Sequence, residues 1–547
     1  MIARVVENWL DSATEKEFQI PFCHVLNYEG KTVVHLTRHC PMEMGKDIIA
    51  LEPDGTPCAY QLKNIGGAKL SKDEWRTKLL PQMDELVLQG IEHPAVKPGK
   101  HHRSFLVING ELDEEAIASV RQYNQGLQNR RFPKEQRLGI IVKGKLYKAF
   151  MELGTDLWPP ELAESRALLE LYLELGDSCF PKEKLAVLLE QILPLRKKVG
   201  NKKGEVSKAE CQRILTSAAI LTSLASTSFA RCDNHVAILE AWTLYAAYAM
   251  SLSERCNLPR KYWFREVKLS LDAMYEALCR LCEEIPQRMS LVEGNPVLDF
   301  PFHRIRITHV SGLLAVLGLW RIHRGEPHEA MDDHIHDFVE KHLKHLQLWG
   351  EYAVPQFLSI YFYMNATDAT LKSTSLLHNL FSSIIKLAQA VKDQFLPDPY
   401  CNPEEWLLET MCRNQQEKRH NFQDGSFSIE SLMHLFVRTN MKQMMKMLWP
   451  DITRVQFKKF TPDVISDYYL WYVEEGTTDS IFLPPSKEWN ELMKEARENT
   501  GSEIPSLIKE YPIFYIAFLC VYPHRINSSG VRWLDTTLTN AFISRGK

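Results

Sequence analysis

Asp47, Gln61 and Lys63 put one carboxylate, one amide oxygen and one amine into a short stretch, EMGKDIIALEPDGTPCAYQLK, running from Glu43 to Lys63. A carboxylate and a neutral oxygen can hold Mg²⁺, which keeps several waters and leans on substrate phosphate for its remaining ligands. A nearby ammonium can orient or activate the attacking water, while the metal stabilises charge developing at phosphorus. The chemistry these residue types point to is phosphodiester hydrolysis. The plain alternative for so short a pattern is a hairpin with a polar face.

The elements around these residues must bring them together. Asp47 opens an apolar run, Ile48–Leu51, and Asp54-Gly55 supplies a tight-turn dipeptide in which glycine accepts positive φ. A second strand is expected over Ala59–Lys63. Side chains alternate along a strand, so Gln61 and Lys63 share one face and a hairpin returns Asp47 beside it.

Asp47, a short spacer and Gln61-x-Lys63 resemble the motif of the PD-(D/E)xK nuclease superfamily. The branch most similar has Gln in place of the acid, as in Mrr-like type IV restriction enzymes and anti-phage effector nucleases. The lead-in Gly45-Lys46-Asp47-Ile48-Ile49 is similar to that branch as well. The resemblance covers roughly residues 1–155. It implies a restriction-endonuclease-like α/β domain, Mg²⁺ (or Mn²⁺) held by Asp47 and Gln61, and Lys63 steering water. In that superfamily a glutamate of the first helix often completes the metal site. Glu7 is a candidate for it, and Glu43, nearer the motif, is the rival.

Around the motif, residues 1–158 read as an α/β unit. Helix is expected over about Ile2–Ser12, strands over Val25–Tyr28 and Thr32–Leu36, and a long amphipathic helix over Asp73–Gly90 that Pro81 kinks or splits. Ser104–Asn109 and Leu138–Val142 are continuous apolar runs, as in buried strands. Between them Asp113 caps a helix over Glu114–Asn129. The layout fits a small mixed sheet flanked by helices. Basic residues gather at Lys97, Lys100, His101, His102 and Arg103, and again at Arg121, Arg130, Arg131, Lys134, Arg137, Lys143 and Lys145. Phosphate contacts from such patches position a duplex without reading its sequence; neighbouring acids such as Glu111, Glu114 and Glu115 equally allow a solvated surface.

Trp158-Pro159-Pro160 marks a boundary, and 547 residues call for two or more domains. Helices are expected over Leu162–Leu175, Lys182–Val199, Lys208–Ala230, His235–Leu252, Lys261–Glu284 and His303–Arg324. Linkers are expected at Pro286–Pro301, Leu396–Pro403 and Glu474–Pro485. No fixed-period repeat appears, so the fold class expected is α+β: the N-terminal domain, then all-α regions over 159–300 and 301–547 forming an irregular superhelix or bundle, with a sensing or assembly role.

The net charge of −4 gives no global nucleic-acid signature, so any such binding is local. The N-terminal sequence reads as an amphipathic helix with acids, not a signal peptide. The longest apolar run, Tyr511–Tyr522, is too short to span a bilayer and reads as a buried helix. Twelve scattered cysteines suit a reducing cytosol. Cys279-x-x-Cys282 lacks the second pair a zinc site needs. Arg413-Asn414 followed by His420 echoes the HEPN ribonuclease motif on a very polar helix end. Histidines crowd at His323, His328, His334, His336, His342 and His345 without a fitting carboxylate spacing, which favours surface helix over a metal site.

The functional expectation is a cytoplasmic Mg²⁺-dependent endonuclease acting on DNA in bacterial anti-phage defence, with no membrane association and with helical regions that bind a trigger, a partner protein or another copy. RNA shares the phosphodiester chemistry. The alternatives are a non-cleaving nucleic-acid-binding scaffold and an RNase in the helical half.

Overall fold

The computed structural model describes residues 6–7, 9–11, 13–36, 46–65, 68–97, 99–154, 162–195, 206–287, 300–325, 329–367, 370–388, 396–397, 422–423, 425–473, 477–481, 487–498 and 504–543. The protein is α+β, and the chain divides into two compact units, Met1–Glu276 and Ala277–Lys547.

The first unit is built on a five-stranded mixed sheet. Strands β1 (Thr32–Leu36), β2 (Ile48–Leu51) and β3 (Pro57–Lys63) form an antiparallel meander. β5 (Arg103–Ile108) lies parallel to β3, and β7 (Gly139–Ile141) parallel to β5, giving the order β1-β2-β3-β5-β7. The short strands β4 (Lys69–Leu70) and β6 (Glu111–Leu112) pair separately. The β2–β3 turn is the expected one: Gly55 takes φ +79° and the Asp54 carboxylate accepts from the Thr56 amide at 2.8 Å. β7 can lie against β5 because residue 139 is glycine; a Cβ there would stand 2.7 Å from the Phe105 ring.

Two crossovers make the parallel pairs. The segment after β4 runs through Lys72–Glu74, a π-helical stretch Trp75–Leu79 and helix α2 (Leu80–Leu88). Pro81 is the physical cause of that irregularity: it has no amide hydrogen, and the widened turn ends as Leu80 N–H donates to Trp75 O. Helix α3 (Glu114–Asn129) starts where Asp113 caps it, its carboxylate accepting from the Ala116 amide. Trp75, Leu79, Met83 and Leu86 pack with Val120, Leu127, Ile49, Ala59 and Leu106 as one core.

Helix α1 (Glu15–Tyr28) replaces the strand expected over Val25–Tyr28. Thr14 and Glu17 close a capping box at its start, and Phe18, Phe22, Val25 and Leu26 are buried at helical spacing. Phe22 meets Tyr60 edge-on at 5.5 Å, and Tyr60 stacks on Phe105 at 5.0 Å, so α1 packs on the sheet. α4 (Lys143–Gly154) follows β7.

The α/β portion is continuous with the helices that follow rather than closed at residue 158. These are α5 (Leu162–Tyr172), α6 (Lys182–Ile192), α7 (Lys208–Ala225), α8 (Thr227–Arg231), α9 (His235–Arg255) and α10 (Phe264–Gln287). α1 packs on α7. Fully buried His24 of α1 is hydrogen-bonded to Glu266, which also accepts from Thr216 at 3.0 Å. Trp9 donates to Thr227 at 3.2 Å, and Arg231 to Glu17 at 2.9 Å.

The second unit contains α11 (Phe300–Arg324), α12 (Glu329–His342), α13 (Val354–Ala366), α14 (Thr370–Ala388), α15 (Ile429–Arg438), α16 (Lys442–Ile452), α17 (Trp489–Glu498), α18 (Pro512–Val521) and α19 (Ser528–Ile543). It is not all helix. β8 (Leu396–Pro397) and β9 (Phe422–Gln423) pair antiparallel, and β10 (Gly425–Ser426), β11 (Gln456–Phe460) and β12 (Thr477–Ile481) form a three-stranded sheet, so part of the linker expected over Glu474–Pro485 is a strand. Pro286 likewise lies within α10. α18 is buried along its length, as its apolar run requires. His235–Arg255 and His303–Arg324 are long and apolar enough to cross a membrane, but most of each is buried inside the protein.

Candidate active site

The antiparallel register of β2 and β3 sets Asp47 beside Gln61. Ile48 pairs with Tyr60, and the Asp47 amide donates to Tyr60 O at 2.8 Å, carrying the ladder one step further. The Asp47 Oδ2 atom accepts from Gln61 Nε2 at 2.8 Å and from the Leu62 amide at 2.6 Å. Because the Gln61 amino group is committed to Asp47, its carbonyl Oε1 is left buried with no hydrogen-bond partner. Gln61 is 6% exposed, and an unsatisfied buried oxygen costs about 1–3 kcal/mol.

Lys63 lies two residues along β3, its side chain 21% exposed. Its ammonium donates to Glu15 Oε2 at 3.3 Å, while the Asn64 amide donates to Glu15 Oε1 at 3.2 Å. The glutamate facing Lys63 is therefore Glu15, in the first turn of α1. Glu7 is exposed and faces Lys143 at 3.8 Å, which also pairs with Asp11 at 2.5 Å. Glu43 lies outside the described residues. Gln19, one turn beyond Glu15, donates to Asp47 O at 3.3 Å. One face of α1 thus touches both halves of the site, as i, i+4 spacing allows. Glu15 and Gln19 were not singled out from sequence, although Thr14-x-x-Glu17 is a capping-box signature that starts a helix at Glu15.

Asn109 holds this arrangement from below. It follows β5, is fully buried, and donates to Leu10 O at 2.9 Å, Ala13 O at 2.8 Å and Asn64 Oδ1 at 3.0 Å. Its own oxygen accepts from the Ile65 amide at 2.7 Å. The chain entering α1 and the chain leaving β3 are pinned to the same side chain. Lys46, immediately before Asp47, is 3% exposed; burial pulls its amine down to about 8, with Glu85 opposing that shift.

The residues fit a hard divalent cation modestly. Among the described residues no three His, Cys, Asp or Glu side chains gather as a metal cage. Mg²⁺ needs less, because water and substrate phosphate complete its shell. The partnerless Gln61 oxygen and the Asp47 carboxylate are ligands of the kind it takes.

The other candidates resolve differently. His102 is buried and its Nε2 lies 2.7 Å from Leu86 O, so it is a core residue and not a phosphate contact; burial lowers its pKa. Arg103 pairs with Glu52 at 2.5 Å. Lys97, His101, Arg121, Arg130, Arg131, Lys134 and Lys145 are exposed. Cys279 and Cys282 are buried, and burial pushes the Cys282 thiol up to about 12. His342 is buried against Phe338, ring centroids 4.6 Å apart. Arg413, Asn414, His420 and His328 lie outside the described residues. No family model, curated protein or solved structure matches this chain.

Proposed function

We propose that the protein is a Mg²⁺-dependent endonuclease that hydrolyses DNA phosphodiester bonds. The observation that carries the reading is the Gln61 amide, fixed by Asp47 so that its buried oxygen has no donor, on the strand where Lys63 meets Glu15. A β meander followed by a crossover to a parallel strand, with Asp47 just before β2 and Gln61 and Lys63 on β3, supports the resemblance to the PD-(D/E)xK superfamily.

Asp47 and Gln61 would hold the ion by their oxygens, and bound there it supplies polarisation of a phosphate oxygen and neutralisation of developing charge. Glu15 holds the Lys63 amine in one direction, from which it hydrogen-bonds the attacking water. The Leu62 amide and Gln19 fix Asp47 in place, so little reorganisation is needed when substrate arrives. The exposed cations Arg121, Arg130, Arg131 and Lys134 offer phosphate contacts without base readout. On the same resemblance, the cellular role is that of an effector in bacterial anti-phage defence, with the helical regions sensing or assembling.

Supercoiled plasmid incubated with Mg²⁺ tests the reading. Wild type is expected to nick it and Asp47→Asn to leave it intact. Duplex binding by wild type with no cleavage under Mg²⁺ or Mn²⁺ would instead make this a nucleic-acid-binding scaffold.

A further inference from the structure

The second unit contains a cavity of about 470 Å³ between α15, α16, α17 and α19. That volume lies within the range of small-molecule sites, roughly 300–1,000 Å³. Its wall is apolar and aromatic, with Met445, Trp449, Trp489 and Leu492 prominent. The Trp489 ring is held by its Nε1–H, which donates to Asn440 Oδ1 at 2.8 Å.

Set into this wall is an excess of positive charge. Lys442, Lys446, Lys487 and Arg532 line the cavity against one acid, Glu495, and Glu495 already pairs with Lys487. Arg532 Nε is buried and has no hydrogen-bond partner. His434, 5% exposed, also lines the cavity; its Nε2 stands 3.4 Å from Asp535, which accepts from Arg438 at 2.9 Å. A buried guanidinium nitrogen without an acceptor is costly, and an anion relieves that cost.

The two properties together narrow the occupant. An apolar partner helix would cover the exposed Lys442 and Lys446 ammonium groups and leave their charge unsatisfied. A bare phosphate would satisfy it and leave the tryptophan wall unused. We propose that this cavity binds an aromatic anion of mononucleotide size, its phosphate on Arg532 and Lys446 and its base against Trp449 and Trp489. Aromatic stacking of this kind accepts any base. The site stands independently of the nuclease reading.

The test is calorimetric titration of the full-length protein with AMP, GMP and UMP, with adenosine and inorganic phosphate as separate arms. The expected result is saturable binding of the mononucleotides, with adenosine and phosphate each weaker by about tenfold or more. Arg532→Gln and the exposed-site variant Lys446→Gln should each weaken AMP binding by several-fold to tenfold, with the circular dichroism spectrum unchanged for Lys446→Gln. Absence of binding by all three mononucleotides overturns the proposal. So does AMP binding no tighter than that of adenosine or phosphate, or AMP binding that Lys446→Gln leaves unaltered.

Discussion

The Lys63 ammonium donates to the Glu15 carboxylate across 3.3 Å, joining the end of strand β3 to the first turn of α1. The same carboxylate receives the Asn64 amide, so it grips both the lysine and the backbone after it. Glu15→Gln removes the charge that directs the amine and is expected to lower cleavage by about tenfold to a hundredfold. Glu7→Gln, at an exposed position facing Lys143, is expected to change cleavage less than about twofold. Parallel nicking assays check the pair; equal losses would reassign the helix glutamate.

In the proposed metal site Gln61 would contribute a neutral oxygen where the motif it resembles more commonly has an acid, leaving less negative charge to hold the ion. Cleavage should rise through roughly millimolar Mg²⁺ and run faster in Mn²⁺. Gln61→Glu adds a charge and replaces the amino group that donates to Asp47 Oδ2 by a second carboxylate oxygen, a pair that a divalent cation would bridge, so the Mg²⁺ midpoint should move down by about tenfold. Initial rates over a metal titration read this directly.

Asn109 ties Leu10, Ala13, Asn64 and Ile65 to one buried side chain. Asn109→Ala strands backbone groups at the entry to α1 and the exit of β3, and should cost about 2–4 kcal/mol. It should also slow cleavage by loosening Glu15 against Lys63. Denaturant unfolding measures the first effect, and hydrogen exchange at residues 13–17 and 62–65 the second.

His342 is buried beside Phe338 with Nδ1 lacking a partner, and burial lowers its pKa from 6.5 to about 4, with the nearby Lys341, His345 and His303 charges adding to the shift. The folded state therefore binds fewer protons than the unfolded chain between those values. The stability this residue contributes is full above pH 6.5 and is lost as pH falls toward about 4. His342→Phe should flatten that part of the stability–pH curve. Thermal midpoints of the two proteins from neutral to acid pH test it; curves of equal slope would contradict it.

The hairpin was legible because Asp54-Gly55 and the alternating runs beside it are local signals, and α3 because Asp113 caps it at the expected residue. Val25 and Tyr28 suit a strand by local propensity, but the capping box ten residues earlier starts a helix that runs through them. β12 carries a weaker local signal: its run Thr477–Ile481 is largely polar, and it pairs with Gln456–Phe460 across an irregular connection and not a tight turn. The motif letters singled out Asp47, Gln61 and Lys63 as candidates. They could not reveal that the amide turns its nitrogen to Asp47, nor that Glu15 reaches Lys63, since both depend on how α1 packs against the sheet.

Single-turnover cleavage of a plasmid by Lys63→Met, beside wild type in Mg²⁺, tests the proposed catalytic role of this site most directly. Methionine keeps much of the side-chain volume and removes the amine, so the fold should persist while the rate falls by about a hundredfold or more. A Lys63→Met protein that cuts as fast as wild type would contradict the assignment of this strand end as the catalytic centre.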